Sequence, residues 1–391
     1  MAPKVGKKKL IGLKEENTTQ GKSVEARKKD LLSGLNRKYG SRVTMGGVNK
    51  KAVIDVLPTG SLSLDIALGV GGIPRGRIVE IAGMESTGKT TLALKIIRNA
   101  QQMGYRCAFI DTEYALDVNW ATSLGVNMEE LDVYEADVLE VAGEMLVRIA
   151  ESGLYDVIVF DSIGAVGVNA EHEGELGDAN MGVRARILGQ LMHKVTGLVT
   201  NNKQWLVLIN QLRHTMDQYN PFIAPGGKAV PFAATQRIFL TSKKQKVDQG
   251  KDVEYNIVRA KVEKNKVAPP YRTGEYHLMF ETGDIDTYAE VAAILTDSRF
   301  TDKLKIQRTG AWYTLPENLY PPEYEPEKIN GEAKMLQVML ADIEHLEQTV
   351  IPHIRKSLIS YEDQGARNHT GEIGPDSLSK DLENEDENYE E

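Results

Sequence analysis

The stretch Gly83-Met84-Glu85-Ser86-Thr87-Gly88-Lys89-Thr90 constrains this chain more than any other. It fits G-x-x-x-x-G-K-[ST], and its setting is the one that pattern needs. Ile78 to Ala82, just before it, reads as a strand, and Thr91 to Ile97, just after it, reads as a helix. Gly83 and Gly88 let the backbone curl so that several N–H groups converge on one anion. The new helix adds its positive N-terminal end. Lys89 is long enough to reach the β- and γ-phosphates of a nucleoside triphosphate, and the Thr90 hydroxyl suits a magnesium position. The alternative is a glycine-rich turn that carries a lysine by accident, and it leaves the flanking strand and helix unexplained.

With 391 residues, 41% of them apolar, the chain can build one large domain plus appendages. Cys107 is its one cysteine, so no internal disulfide is possible, and a buried small residue is the expected role. No apolar run is long enough to span a membrane. The early lysines are followed only by Leu10-Ile11-Gly12-Leu13, too short for a signal peptide. The expectation is a soluble protein of a reducing, cytoplasmic compartment, with no membrane partner.

The net charge of −9 is unevenly spread. Residues 1–51 hold 14 Lys/Arg against 4 Asp/Glu, a net of +10, and residues 372–391 hold 1 Lys against 9 Asp/Glu, a net of −8. A basic head and an acidic tail suggest a polyanion partner and an internal competitor for it; two solubilising tails are the plainer alternative.

Along the chain, residues 1–22 read as a disordered basic arm. Val24, Leu31, Leu32 and Leu35 predict a short amphipathic helix over 24–39, ended by Gly40. It is the main element of a segment, 23–57, that must pack on its own body or on a neighbour. From 58 to 283 strand-like runs at 78–82, 106–111, 155–161 and 205–210 alternate with helix-like runs at 89–103, 114–124, 138–151 and 182–201. Such alternation predicts an α/β core with a mostly parallel central sheet. Arg237–Ser242, Glu254–Glu263 and Glu275–Phe280 are expected as antiparallel additions at one edge. Residues 284–360 form a small C-terminal α/β unit with a long helix near 331–360, and 361–391 an acidic disordered tail.

Active sites on parallel sheets lie at the carboxyl ends of strands. Asp161 ends the run Tyr155–Asp161 and can approach a metal at Thr90, although a helix-capping aspartate looks the same. Glu113, beyond the Phe109–Asp111 run, is the candidate to orient and deprotonate a water attacking the γ-phosphate. Its alternative role is a carboxylate at a helix N-terminus. Asn210-Gln211 sits where the 205–210 strand gives way to the second loop, and Gln211 there can touch the γ-phosphate and carry that contact into the loop. Two long loops flank the 182–201 helix and the 205–210 strand: Glu171–Gly182, and Arg213–Gly227 with Gly226-Gly227. Met181, Arg184 and Arg186, at the end of the first loop, could wedge and clamp a nucleic-acid strand.

The whole set resembles bacterial RecA-type recombinases over roughly residues 24–360. Thr59-Gly60-Ser61-Leu62-Ser63-Leu64-Asp65 looks like that family's lead-in. The phosphate loop, Asp111–Asp117, Val157–Ser162, Glu173–Gly182, Asn210-Gln211 and Lys264-Asn265-Lys266 follow in the family's order. The resemblance implies a RecA-like P-loop ATPase core with an N-terminal polymerisation helix and a small C-terminal domain. It implies ATP and Mg2+, held by the phosphate loop from Gly83 to Thr90 with Thr91, and by Asp161. It further implies that Glu113 is catalytic, that Gln211 senses the γ-phosphate, and that Asp117 lies near the adenine. Trp120 stands where a tyrosine usually stacks on the base. Lys264 and Lys266 are similar to the pair that reaches a neighbour's nucleotide. Met181, Gly182, Arg186, Arg213, Gly226 and Gly227 match loop positions associated with DNA, and Phe232 an interface aromatic. The implied partners are single-stranded DNA, homologous duplex DNA and further copies of the chain in a helical filament. The chain departs from the family pattern at Gly189, His193, Lys228 and Pro231.

Overall fold

The computed structural model describes residues 23–39, 55–169, 181–214, 222–223, 225–245 and 255–359. The expected arm, the tail and most of both long loops lie outside them, as does Gly40.

The chain divides into two units, Met1–Ala52 and Val53–Glu391. In the first, α1 (Val24–Tyr39) forms over the span its periodicity predicts. The Ser23 Oγ accepts from the Ala26 N–H at 3.2 Å and caps its start. Val24 and Leu31 are exposed.

The second unit is built on an eight-stranded sheet. Its strands are β1 (Arg77–Gly83), β2 (Cys107–Asp111), β3 (Leu131–Glu135), β4 (Val157–Asp161), β5 (Trp205–Gln211), β6 (Gln236–Gln245), β7 (Tyr255–Asn265) and β8 (Thr273–Met279). Their order across the sheet is β8-β7-β6-β1-β5-β4-β2-β3. All neighbours from β6 to β3 are parallel, while β7 and β8 run antiparallel. The phosphate-loop strand β1 is therefore interior. β2 and β4 are buried along their whole length, which fits their unbroken apolar runs.

Each face has its own core. Val79, Ile81, Phe109, Val159 and Val207 pack with Leu92 and Ile96 of α3 (Lys89–Gln102) and with Leu64 and Leu68 of α2 (Leu62–Leu68). On the other face Ile78, Ile110, Phe160 and Leu208 meet α5 (Leu139–Ser152) and α6 (Met181–Asn201) through Leu146, Leu188 and Val195. Cys107 is buried, as expected.

A third cluster joins Leu62 and Ile66 of α2 to Val291 and Leu295 of α8 (Thr287–Thr296), and to Tyr313, Met335 and Leu358. α2 thus belongs to two cores. Two buried acids hold it there. Glu290 accepts from the Ser61 Oγ at 2.5 Å and from the Leu62 and Ser63 N–H groups at 3.1 Å each. Asp65 accepts from the Thr59 N–H, the Thr59 hydroxyl and, at 3.0 Å, Arg355 Nη2.

Three expectations need correction, and one strand is added to them. β6 is parallel to β1, and only β7 and β8 are antiparallel additions. β3 was not foreseen. The 114–124 helix shrinks to α4 (Val118–Ser123), because Asp111 ties the preceding residues into a turn. The long C-terminal helix is broken after Leu340, where Asp342 caps a new start by accepting from the His345 N–H. Among the described residues no helix is long and apolar enough to cross a membrane.

Candidate active site

β1 delivers the phosphate loop to the carboxyl edge of the sheet. A Cβ on Gly83 would lie 2.5 Å from the Thr87 hydroxyl and 2.9 Å from the Leu240 carbonyl, so only glycine fits. Gly88, at φ +83°, turns the chain into α3 and leaves the helix N-terminus without a side-chain cap. The donors there are free to meet an anion. Glu85 and Ser86 are exposed, and Met84 and Thr91 are half-buried. The Met84 carbonyl accepts from the Thr87 hydroxyl at 2.9 Å and from Lys89 Nζ at 2.8 Å. Burial lowers the Lys89 ammonium from its ordinary value, and Asp161, Glu113 and Glu85 partly offset that.

β4 brings Asp161 to the start of α3. The Thr90 hydroxyl donates to Asp161 Oδ2 at 2.6 Å. Burial lifts the Asp161 carboxyl to about 6, against the hydroxyl's stabilising bond, with Glu113 and Asp111 adding to the rise. These are hard oxygen donors, the class magnesium takes, and among the described residues no group of three or more His, Cys, Asp or Glu is arranged to hold a metal ion by itself. Two protein groups beside a phosphate loop fit Mg2+, which keeps waters and phosphate oxygens as its other ligands.

Glu113 sits beside Asp161 because β2 and β4 are in register, Asp111 opposite Asp161. Asp111 accepts from the Glu113 N–H at 2.9 Å and from the Ala115 and Leu116 N–H groups at 3.0 Å, which fixes the turn. Glu113 Oε1 then accepts from the Ser162 hydroxyl at 2.5 Å and from Gln211 Nε2 at 2.9 Å. Gln211 pairs in register with Gly83, so it stands next to the phosphate loop. Lys89, Thr90, Asp161, Glu113 and Gln211 form one cluster. The sequence reading missed Ser162, the anchoring role of Asp111, and Gly164, where a Cβ would lie 2.6 Å from Asn210 Oδ1. Only Ser162 carried a signal, its position next to Asp161.

Asp117 is exposed and caps α4, accepting from the Trp120 N–H at 2.8 Å. Trp120 is half-buried; a Cβ on Gly283 would lie 2.5 Å from its Cζ2, so the indole edge rests on bare backbone. Lys264 Nζ donates to the Pro231 and Phe232 carbonyls, and Lys266 Nζ to the Phe232 carbonyl at 3.2 Å. Both lysines thus hold the end of α7 (Ala229–Ala233), and the Phe232 ring beside them is 70% exposed.

Of the DNA candidates, Met181 and Gly182 open α6, and Gly182, Arg186 and Arg213 are exposed. Arg184 donates to the Gly164 carbonyl at 3.2 Å. Gly226 and Gly227 have left-handed φ of +100° and +71° and pack on α6; a Cβ on Gly226 would lie 2.3 Å from Leu188 Cδ1. Their position is therefore a backbone contact that pins the end of the second loop to the helix that ends the first. Residues 170–180 and 215–221 lie outside the described residues.

Comparison with known proteins gives concordant results. The RecA N-terminal domain family matches residues 27–285. The chain is 42% identical over 286 residues to Protein RecA of Caldanaerobacter subterraneus subsp. tengcongensis, covering 72% of this chain and 82% of that one. It is 42% identical over 290 residues to Protein RecA of Heliobacterium modesticaldum, with 72% and 81% covered. It is 41% identical over 299 residues to Protein RecA of Thermus thermophilus, with 75% and 86% covered.

Proposed function

Because the chain belongs to the RecA family of homologous recombinases, we propose that it is a DNA-dependent ATPase that assembles on single-stranded DNA, pairs that strand with homologous duplex and exchanges strands. The observation that carries this is the Gln211–Glu113 bond at 2.9 Å beside the phosphate loop. It ties the residue that would deprotonate water to the strand leading into the second loop.

The roles follow from position. Backbone N–H groups from Gly83 to Thr91 cradle the phosphates, and Lys89 leaves the Met84 carbonyl to reach the β- and γ-phosphates. Thr90 and Asp161 hold Mg2+, which when bound neutralises charge on the phosphates. Glu113, oriented by Ser162 and Gln211, accepts the proton of the attacking water. Asp117 and Trp120 line the base. Lys264 and Lys266 reach the nucleotide of the next protomer, with Phe232 at the same interface. Met181, Gly182, Arg186 and Arg213 contact the DNA strand, while Gly226 and Gly227 set the loop that carries it. The partners are therefore single-stranded and duplex DNA and other copies of the chain, and a cytoplasmic site of action goes with them. In this reading α1 docks on a neighbour, residues 58–283 form the ATPase core, 284–360 a small C-terminal domain, and 361–391 an acidic tail.

ATP hydrolysis with and without single-stranded DNA, across a salt series, tests the proposal. Strong stimulation that fades with salt is expected, since strand binding through phosphates loses affinity with a slope of about −0.7 per phosphate neutralised. Turnover indifferent to DNA would refute it and point to another ATPase on this core.

A further inference from the structure

Glu80 takes no part in the chemistry above, yet it is a fully buried carboxylate in the middle of β1. Asn210 Nδ2 donates to its Oε1 at 2.9 Å, and Arg237 is ion-paired with its Oε2. Asn210 is the residue before Gln211. Arg237, itself only 15% exposed, lies opposite Lys264 in the register of β6 and β7. One carboxylate therefore stands between two groups assigned to the nucleotide: Gln211 of this protomer's site, and Lys264, directed toward the next. Burying an ion in mid-strand incurs a desolvation penalty that an apolar residue would avoid, which makes its connections worth explaining.

We infer that Glu80 is a positioning residue of the nucleotide machinery: it fixes Asn210 beside Gln211 and, through Arg237, acts on Lys264 across the β6–β7 ladder. The inference rests on the reading of Gln211 and Lys264 given under the proposed function.

The electrostatics give it a direction. Burial first, then Lys266 and Arg237, bring the Lys264 ammonium down to about 8, while Glu80 pulls it upward. Arg237 faces it from β6, Glu80 from β1 and Lys266 from beyond the end of its own strand; α7 presents the Pro231 and Phe232 carbonyls. Neutralising Glu80 and neutralising Arg237 break the same ion pair, so general damage to the fold is common to both. Their effects on Lys264 are opposite. Without the Glu80 charge the ammonium loses a proton more easily; without the Arg237 charge it holds it longer.

The test uses the full chain as wild type, Glu80→Gln, Arg237→Gln and the double variant. Brief acetylation with acetic anhydride across neutral to alkaline pH, read at Lys264 by peptide mass spectrometry, needs neither nucleotide nor DNA. The labelling midpoint is expected to fall in Glu80→Gln and rise in Arg237→Gln, each by on the order of half a pH unit, and to return toward wild type in the double variant. Shifts in the same direction, or none, overturn the inference. In a second arm, the alkaline limb of DNA-stimulated ATP hydrolysis should move in the same order as the labelling midpoints. A limb that ignores that order also overturns it. Failure of the functional reading is a separate result, seen in the wild type alone as turnover that DNA does not stimulate.

Discussion

Glu290 should make this fold lose stability as pH rises, and Glu290→Gln should remove that loss. The carboxylate is buried against the start of α2, where it accepts three hydrogen bonds. Burial outweighs those bonds and raises it to about 7, against an ordinary 4.5. The folded state therefore holds the proton more tightly than the unfolded chain. The stability this confers is complete below about pH 4.5, declines as pH rises, and is gone above about pH 7. Some 2.5 pH units at 1.36 kcal/mol per unit amount to about 3 kcal/mol. Glutamine stays neutral throughout. It keeps one acceptor oxygen but turns an amide NH2 toward a backbone N–H, a loss of about 1 kcal/mol that does not vary with pH. The stability of the variant relative to wild type should thus rise by about 3 kcal/mol between pH 4.5 and pH 8. Urea unfolding followed by circular dichroism at both pH values measures it. A difference constant to within about 0.5 kcal/mol would refute the reasoning and mean that the α2 N-terminus fully compensates the ionised carboxylate.

Further outcomes follow from the site. Lys89→Ala should abolish ATP turnover and weaken filament assembly; normal strand exchange by that variant would contradict the mechanism. Glu113→Gln should still bind ATP but hydrolyse it roughly 10²–10⁴-fold more slowly, and unchanged turnover would remove Glu113 from its role. Gly226→Ala must fit a Cβ 2.3 Å from Leu188 Cδ1 at φ +100°, so a loss of about 1–3 kcal/mol and weaker single-stranded DNA binding are expected. An unaltered melting temperature would argue against the packing role. Removing residues 372–391, which carry a net charge of −8, should tighten duplex binding at low salt; unchanged binding would leave the tail a solubilising role.

What the sequence made legible was whatever depends on local chemistry. β1, β2, β4 and β5 are covered on both faces, so each is written as a mainly apolar run, interrupted in β1 by Glu80, that needs no partner to be recognised. β3 could not be found this way: it is the sheet's edge, and only Leu131 of Leu-Asp-Val-Tyr-Glu is buried. The direction of β6 was hidden for another reason. Its residues announce a strand, but its pairing with β1 is decided by where the chain returns after α7. In the site, Lys89, Thr90, Asp161, Glu113 and Gln211 could be named because motif and strand end together limit where they go. Ser162, Asp111 and Gly164 act through atoms brought close only by folding, and Glu80 looked like any charge in a strand. Gly226-Gly227 was legible as a loop position, while its packing against Leu188 and Ala185 of α6 was not.

The double membership of α2 has a consequence for how the molecule can be divided. A chain cut after residue 285 would not yield a self-sufficient ATPase core. It would bare Leu62 and Ile66, strip the acceptor from the Leu62 and Ser63 amides, and leave Asp65 without Arg355. The same helix is joined to the strand that carries the phosphate loop by residues 69–76. Amide exchange along α2 should therefore be slowed by both cores together, and a lineage could exchange the C-terminal module only by rewriting its seat at Thr59–Leu68 in the same step.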